Sequence, residues 1–286
     1  LQKRSDDLKS VLDIDESAWL DLAEGLLQRL CQATEQSLWE LFNKKRSAGS
    51  LLLAHIYAEN DGNKESIPDS SYNQFMSGLL SDGYSPLLRE YPVLGRLIAT
   101  IVELWLSSNE EMLRRVAANR KQLHDQFWIE PANILRKIVL GLSDPHKNGR
   151  GVAILEFGDV NNIKKTVYKP KDMKIDLAYQ KYISSLNENS CLPPLRSLKI
   201  LACEGYGFME WVDHIPCKTS NELVNFYTNA GRILAVLHLL GCTDCHHENL
   251  IASVDQLILI DTETLLDAEV CDLINYAENE DPVSSL

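Results

Sequence analysis

The spacing of apolar residues changes twice along this chain of 286 residues, and those changes limit its possible folds more than any other feature. In the first part of the chain, apolar side chains recur every three or four positions, for example in residues 19–31 and 94–105, which predicts long amphipathic helices. In residues 152–169 and 197–212 the apolar runs are short and separated by turn residues, which is typical of strands. Helical spacing returns at Leu223 and ends at Gly241. The sequence therefore predicts an α+β protein.

Turn residues and helix caps divide this pattern into elements. Pro92 suits the first turn of a helix, and Asp15 or Ser17 is placed to cap the helix that contains Trp19. Polar, glycine-containing stretches predict loops. The loops are predicted at 59–71 and 143–151, further helices at 109–127 and 176–186, and strands at 152–157, 166–169, 197–203 (continuing through 207–212) and 257–260.

Charge and composition exclude several classes of protein. The formal charge of −13 argues against nonspecific binding to DNA or to an anionic membrane, although a local basic patch can still hold phosphates. No apolar run approaches the ~20 residues that span a bilayer, and the polar start is not a signal peptide. Seven cysteines, mostly in apolar segments, predict free thiols and a cytoplasmic protein. Because residue 1 is Leu, we expect the chain to be part of a longer one.

The most informative polar residues follow the last long helix. Phosphoryl transfer needs a carboxylate near the attacking hydroxyl and metal ions across the phosphates. Asp244 and Asn249 are five positions apart, as are the catalytic-loop Asp and Asn of kinases, and Asp261 ends a short apolar strand. This spacing predicts that Asp244 is catalytic and that Asn249 and Asp261 bind magnesium. His246 completes an Asp-x-His-x-x-Asn pattern that is closer to lipid and other atypical kinases; the alternative is an ordinary polar turn.

A lysine at the end of a strand is the second candidate for phosphate chemistry. Kinases hold a cation against the α- and β-phosphates from a rigid strand, and Lys169 ends the apolar stretch Val-Tyr-Lys. Lys171 is the runner-up, and a solvated basic hairpin end is the alternative explanation. Glu188 or Asp176 is available to pair with the lysine, and the sequence does not choose between them.

Two weaker patterns concern nucleotide and zinc binding. Residues 206–212 form an apolar stretch in which Met209 and Glu210 are predicted to contact the adenine of ATP, although any buried strand has this composition. Cys242 and Cys245, with the histidines that follow, resemble half of a zinc site. Structural zinc sites need two further ligands at a distance, and no second cysteine pair supplies them.

The order of these features predicts a kinase-like two-lobed fold, with a small β-rich lobe followed by a helical lobe. We expect residues 1–140 to form an N-terminal helical region. We expect residues 141–286 to form the ATP-binding and catalytic core, without its C-terminal part.

The motifs together resemble the dehydratase domain of class II lanthipeptide synthetases (LanM-type). Residues 167–171 are similar to that family's Tyr-Lys-Pro motif, and residues 143–150 to its Asp-x-His loop. Residues 206–210 are similar to its Tyr-Gly-Trp-x-Glu segment, with Phe208 in place of Trp. The other matching segments are 91–97, 244–252 and 259–265.

This resemblance implies a kinase fold adapted to peptides. With ATP and magnesium, such enzymes phosphorylate Ser and Thr of a precursor peptide, which has a leader and a core rich in Ser, Thr and Cys. They then eliminate phosphate to leave dehydroalanine or dehydrobutyrine. The resemblance assigns phosphorylation roles to Lys169, Asp244, His246, Asn249 and Asp261, and it matches Asp144 and His146 to positions important for activity.

The chain also departs from the family. Family members are much longer, their elimination step uses Arg and Thr residues well beyond the segment matched by Asp261, and their zinc-dependent cyclase domain has no counterpart here. We therefore expect a chain truncated before the cyclase domain, with incomplete elimination. Two alternatives stay open: an atypical lipid or small-molecule kinase, and a truncated pseudokinase-like binding module.

Overall fold

The computed structural model describes residues 1–3, 6–7, 11–45, 70–130, 132–142, 147–159 and 162–266. Its helices are α1 (Glu16–Lys45), α2 (Ser70–Ser81), α3 (Ser85–Glu90), α4 (Pro92–Ala118), α5 (Arg120–Phe127), α6 (Lys174–Glu188) and α7 (Ser220–Leu239). Its strands are β1 (Leu135–Val139), β2 (Ala153–Asp159), β3 (Asn162–Lys169), β4 (Ile200–Cys203), β5 (Tyr206–Glu210), β6 (Leu250–Ser253) and β7 (Gln256–Leu259). The predicted α+β class is confirmed.

Helix boundaries follow the local chemistry of the caps. Asp15 precedes α1, and its Oδ1 accepts a hydrogen bond from the Ser17 N–H at 2.9 Å, so Asp15 is the cap that the sequence left open. Pro92 begins α4, as predicted. Thr219 and Glu222 form a reciprocal capping box at the start of α7.

Five strands form one antiparallel sheet in the order β1-β2-β3-β5-β4. The β2–β3 hairpin was predicted, but two features of the sheet were not. Strand β1 pairs with β2 although no strand was predicted there. The predicted continuous strand through residues 197–212 is instead the β4–β5 hairpin, because Gly205 takes a positive φ of 74° and reverses the chain.

The two faces of this sheet have different neighbours. One face packs against α1, α4 and α5, which form the helical layer; its core includes Phe157, Tyr168 and Phe208 from the sheet and Trp105 from α4. The other face contributes Val167, Met209 and Ile200 to a second core that includes Ile258 of the β6–β7 hairpin. Side chains alternate between faces along a strand, so consecutive residues of β3 belong to different cores.

Helices α6 and α7 pack with the β6–β7 hairpin in a third core, which includes Tyr179 of α6 and Ile233 of α7. No helix among the described residues is long and apolar enough to cross a membrane. The predicted loop at 59–71 lies almost wholly outside the described residues, and so do Asp144 and His146.

Candidate functional site

Strand β3 brings Lys169 to the sheet face that lies away from the helical layer. The register pairs Lys169 with Gly207 of β5. The lysine side chain is only 6% exposed, and its Nζ donates a hydrogen bond to the backbone oxygen of Ile260. The lysine predicted to bind phosphate therefore ends its strand, as expected, and reaches the segment that follows β7.

Asp261, the predicted metal ligand, lies next to Ile260 and contacts two lysines. Its Oδ2 is 3.9 Å from Lys169 Nζ, and its Oδ1 is 2.7 Å from Lys171 Nζ. Lys171 Nζ also lies 2.8 Å from Oε1 of Glu263. The structure therefore brings both candidate lysines to the same carboxylate.

A buried carboxyl group from α6 completes this arrangement. Asp176 lies in the first turn of α6 and is 3% exposed, and it interacts electrostatically with Lys171, Lys169 and Asp261. Glu188 lies at the other end of α6 and is exposed. Of the two acids that the sequence left open, Asp176 is the one that is buried close to the lysines. We call the group of Lys169, Lys171, Asp176, Asp261 and Glu263 the lysine–carboxylate cluster.

Burial and mutual charge oppose each other within this cluster. Burial lowers the pKa of Lys169, and the Asp261 charge only partly offsets that effect. Burial also acts to lower the pKa of Lys171, but hydrogen bonds to Asp261 and Glu263 raise it overall. Burial raises the pKa of Asp176, whereas the two lysines hold the pKa of Asp261 below its usual value despite burial. The buried charges are thus paired, as a low-dielectric site requires.

The loop of residues 244–249 forms a compact polar turn. Asn249 Nδ2 donates to Asp244 Oδ2 at 3.1 Å, and His246 Nε2 lies 3.3 Å from Asp244 Oδ1. His246 Nδ1 accepts a hydrogen bond from the Glu248 N–H at 3.2 Å, which orients the ring. The structure therefore brings together the three residues of the Asp-x-His-x-x-Asn pattern, with Asp244 at their centre.

Backbone and hydroxyl contacts join this loop to the lysine–carboxylate cluster. The Ile260 N–H donates to the Asn249 oxygen at 2.9 Å, and the Asp244 N–H donates to Thr264 Oγ1 at 3.2 Å. The segments that carry Lys169, Asp261, Asn249 and Asp244 are therefore linked to one another. No role was predicted for Thr264 from the sequence, although its position three residues after Asp261 indicates that it lies close to the candidate metal ligand.

Met209 and Glu210 of β5, which are predicted to contact the nucleotide, have different surroundings. Met209 is buried in the core on the site's side of the sheet, and its backbone oxygen accepts from Thr166 Oγ1 at 2.9 Å. The Glu210 carboxylate is held by Arg196 at 2.9 Å and by the Lys199 N–H at 3.0 Å. Glu210 therefore stabilises the β4–β5 hairpin and the segment before it.

Oxygen donors suited to magnesium are present in the site. Asp261 supplies a carboxylate, and Asn249 Oδ1 accepts no hydrogen bond from any described residue. Both are the hard ligands that magnesium prefers, usually one or two per ion together with phosphate oxygens. Among the described residues, no three His, Cys, Asp or Glu side chains are grouped so as to hold a metal ion by themselves. Asp261 and Asn249 are therefore the residues that would hold a magnesium ion together with phosphate oxygens.

Comparison with known proteins adds an independent finding. The family model described as "Domain of unknown function (DUF4135)" matches residues 91–284, well over half of the chain. The chain is also 23% identical over 209 residues to the "Lacticin 481/lactococcin biosynthesis protein LcnDR2" of Lactococcus lactis subsp. lactis. That alignment covers 69% of this chain but 22% of the relative, so the chain spans about a fifth of the length of that protein.

Proposed function

Because this chain belongs to the family described as "Domain of unknown function (DUF4135)", and because its relative confirms the resemblance to LanM-type synthetases, we propose that it is a dehydratase of lanthipeptide biosynthesis. Its substrate is a ribosomal precursor peptide with a leader and a core rich in Ser, Thr and Cys. The reaction begins with phosphorylation of Ser and Thr from ATP, and elimination of the phosphate then gives dehydroalanine or dehydrobutyrine.

One observation supports the phosphorylation step above all others. A buried lysine at the end of β3 reaches Asp261, and a backbone hydrogen bond between Ile260 and Asn249 ties that segment to the Asp244 loop. Kinases carry their phosphate-binding lysine on their third strand and pair it with an acid on the next helix. Lys169 ends β3 and Asp176 lies in α6, the next helix along the chain, and this order supports a kinase-like arrangement of the sheet and the helices after it.

Each side chain has a role that its surroundings allow. Lys169 is held in place by burial and directs its ammonium group at the phosphates. Asp244 accepts the proton of the attacking Ser or Thr hydroxyl, while His246 and Asn249 fix its orientation through contacts of 3.3 Å and 3.1 Å. Asp176 compensates the charge of the two lysines.

Asn249 and Asp261 are the residues that would hold magnesium, which would neutralise charge that develops on the phosphate oxygens. Asp261 must then exchange its 2.7 Å contact with Lys171 for the ion. The roles of Asp144 and His146, which lie outside the described residues, rest on the resemblance alone. Met209 and Glu210 place the β5 backbone where adenine binds in this proposal.

The experiment is mass spectrometry of a precursor peptide incubated with this chain, ATP and magnesium. A gain of about 80 Da per site, the phosphoryl group, or a loss of about 18 Da after elimination supports the proposal. Unmodified peptide together with failure to bind ATP and magnesium would contradict it.

The matched pair of variants is Asp261→Asn and Asp172→Asn. Asp261→Asn removes the charge proposed to hold magnesium, so modification should fall on the order of 100-fold or more. Asp172 is an exposed partner of Lys174 at 3.1 Å, and its variant should retain activity. Equal loss of activity in both variants would show that the Asp261 effect is not specific to the proposed site.

A further inference from the structure

Two cysteines lie in contact beside the proposed catalytic aspartate. Cys245 donates a hydrogen bond to Cys242, with their sulfur atoms 3.0 Å apart. Cys242 is half-buried at the turn after α7, and Cys245 is exposed in the 244–249 loop. Thr243 and Asp244 lie between the two cysteines in the sequence, so a change in the distance between the two sulfur atoms also moves the backbone of Asp244.

The thiol pair also shares a partner with Asp244. Cys242 Sγ lies 3.5 Å from Thr264 Oγ1, the same oxygen that accepts the Asp244 N–H at 3.2 Å. Thr264 follows the lysine–carboxylate cluster on the chain. Thr264 Oγ1 therefore connects the thiol pair to the backbone hydrogen bond of Asp244.

No other pair of cysteines in the described part of the chain is in such contact. Cys217 donates to the backbone oxygen of Val254 at 3.0 Å, and Cys203 lies 3.5 Å from Asn119 Oδ1. Cys31 and Cys191 are exposed on separate elements. The zinc alternative does not account for the pair either, since no third ligand joins it among the described residues.

We propose that Cys242 and Cys245 form a reversible disulfide that displaces Asp244 and thereby switches off the site. The effect on activity rests on the proposed function; the formation of the disulfide does not. A Cys-x-x-Cys pair is the spacing at which adjacent thiols of one turn form redox-active disulfides. Because the sulfur atoms of a disulfide are about 2.05 Å apart, its formation must draw together two residues that flank Asp244.

The chemistry balances with a peroxide as the oxidant. Burial, the hydrogen bond to Cys242, and the nearby Cys242 and Asp244 charges raise the pKa of Cys245 to about 12, so Cys245 keeps its proton at neutral pH. The Cys242 sulfur attacks one peroxide oxygen and gives up its proton, the O–O bond breaks, and the departing hydroxide takes that proton and leaves as water, so that Cys242 becomes a sulfenic acid. The Cys245 sulfur then attacks the Cys242 sulfur, the S–S bond forms as the S–O bond breaks, and the departing hydroxide takes the Cys245 proton and leaves as a second water. Two sulfurs lose two electrons and hydrogen peroxide gains them.

The direct test maps the disulfide without using enzymatic activity. The chain is treated with hydrogen peroxide, its remaining thiols are alkylated, and it is cleaved after glutamate. Cleavage at Glu222 and Glu248 releases residues 223–248, which contain Cys242 and Cys245 and no other cysteine. We expect this peptide to be about 2 Da lighter and unalkylated, and to regain both thiols with dithiothreitol. Alkylation of both cysteines, while Cys31 or Cys191 is oxidised, would overturn the proposal.

The second test concerns the consequence for the site. Oxidation should lower peptide modification on the order of 10-fold to 100-fold, because small displacements of a reacting group have effects of that size, and dithiothreitol should restore it. A variant carrying both Cys242→Ser and Cys245→Ser should resist peroxide, whereas Cys191→Ser should remain sensitive. A mapped disulfide with unchanged activity would overturn the switch. If the reduced wild-type chain modifies no peptide, the proposed function fails, and the mapping still decides whether the pair forms a disulfide.

Discussion

Lys169 and Lys171 are two positions apart, and they contact different oxygens of the same carboxylate. Their environments differ more than their sequence positions suggest. Lys169 is 6% exposed and also bound to a backbone oxygen, whereas Lys171 is 23% exposed and shared between Asp261 and Glu263. A buried, fixed ammonium group suits a permanent phosphate contact, and the more exposed one suits a partner that can be exchanged.

This difference leads to a prediction for Lys169→Met. The variant should lower peptide phosphorylation on the order of 100-fold or more, because it removes a cation already positioned for the phosphates. Lys174→Met, which alters an exposed lysine with 78% of its side chain accessible, should have little effect. Steady-state kinetics with circular dichroism as a check of folding would measure this. A larger effect of Lys171→Met than of Lys169→Met would exchange the roles of the two lysines.

A buried tyrosine of α6 gives a prediction for alkaline pH. Burial raises the pKa of Tyr179, so the folded protein retains a proton that the unfolded chain loses above about pH 10. The unfolded state then binds fewer protons, and the free energy of unfolding falls as pH rises through that range. In urea titrations at pH 9 and 11, Tyr179→Phe should lose less stability than the wild type. Tyr72→Phe, at an exposed tyrosine, should behave like the wild type.

Among the elements, those with a strong local signal were predictable. Helix α4 begins at Pro92, and the β2–β3 hairpin follows from alternating apolar residues around a turn. Strand β1 lacked such a signal, because Arg136 and Lys137 interrupt its apolar residues and its conformation depends on pairing with β2. A helix that is distant in the sequence also binds the outer edge of β1: Asp21 Oδ2 of α1 accepts a hydrogen bond from the Ile138 N–H at 2.9 Å.

The glycines of the two hairpins provide a prediction at the scale of elements. Gly158 has a φ of 109°, and an added Cβ would lie 2.1 Å from the Asn162 backbone oxygen. Gly205 has a φ of 74° but open space around it. Gly205→Ala should therefore lower the free energy of unfolding by about 1 kcal/mol, from backbone strain alone. Gly158→Ala should lower it by at least about 2–4 kcal/mol, as measured by urea unfolding; equal effects would contradict this explanation.

Over the whole molecule, the five-stranded sheet separates the helical layer from the lysine–carboxylate cluster. The contact between Asp244 and Asn249 was predictable from their local spacing, and the approach of Lys169 to Asp261 from the two strands that end beside them. The choice of Asp176 over Glu188 was not, because it depends on which end of α6 points into the site. No local pattern records that orientation, which arises from packing.

An ion network lies between helix α4 and the sheet face that packs against the helical layer. Glu111 of α4 binds Arg150 at 2.7 Å and Arg115 at 2.7 Å, and Arg115 donates to the Tyr168 hydroxyl at 2.7 Å. Glu111→Gln should lower the free energy of unfolding by about 1–2 kcal/mol, because it removes a partly buried charge that two arginines share.

Thermal unfolding at low and high salt would measure this effect, which should be smaller at high salt. Glu188→Gln, at an exposed acid, is the matched control and should be neutral. A salt-independent loss in Glu111→Gln would point to packing rather than charge.

Tyr168 and Lys169 are consecutive and lie on opposite faces of β3, so substitutions and in-frame deletions in this strand should differ in their consequences. A substitution at either position changes the side chains on one face of the sheet and leaves those on the other face unchanged. Deletion of a single codon within β3 shifts the register of the strand by one residue, so each side chain beyond the deletion points to the opposite face. This would move the Lys169 ammonium group into the apolar core of the helical layer and Tyr168 into the lysine–carboxylate cluster. In-frame deletions in this strand should therefore impair both folding and activity. A point mutation at Tyr168 should affect mainly folding, and one at Lys169 mainly activity.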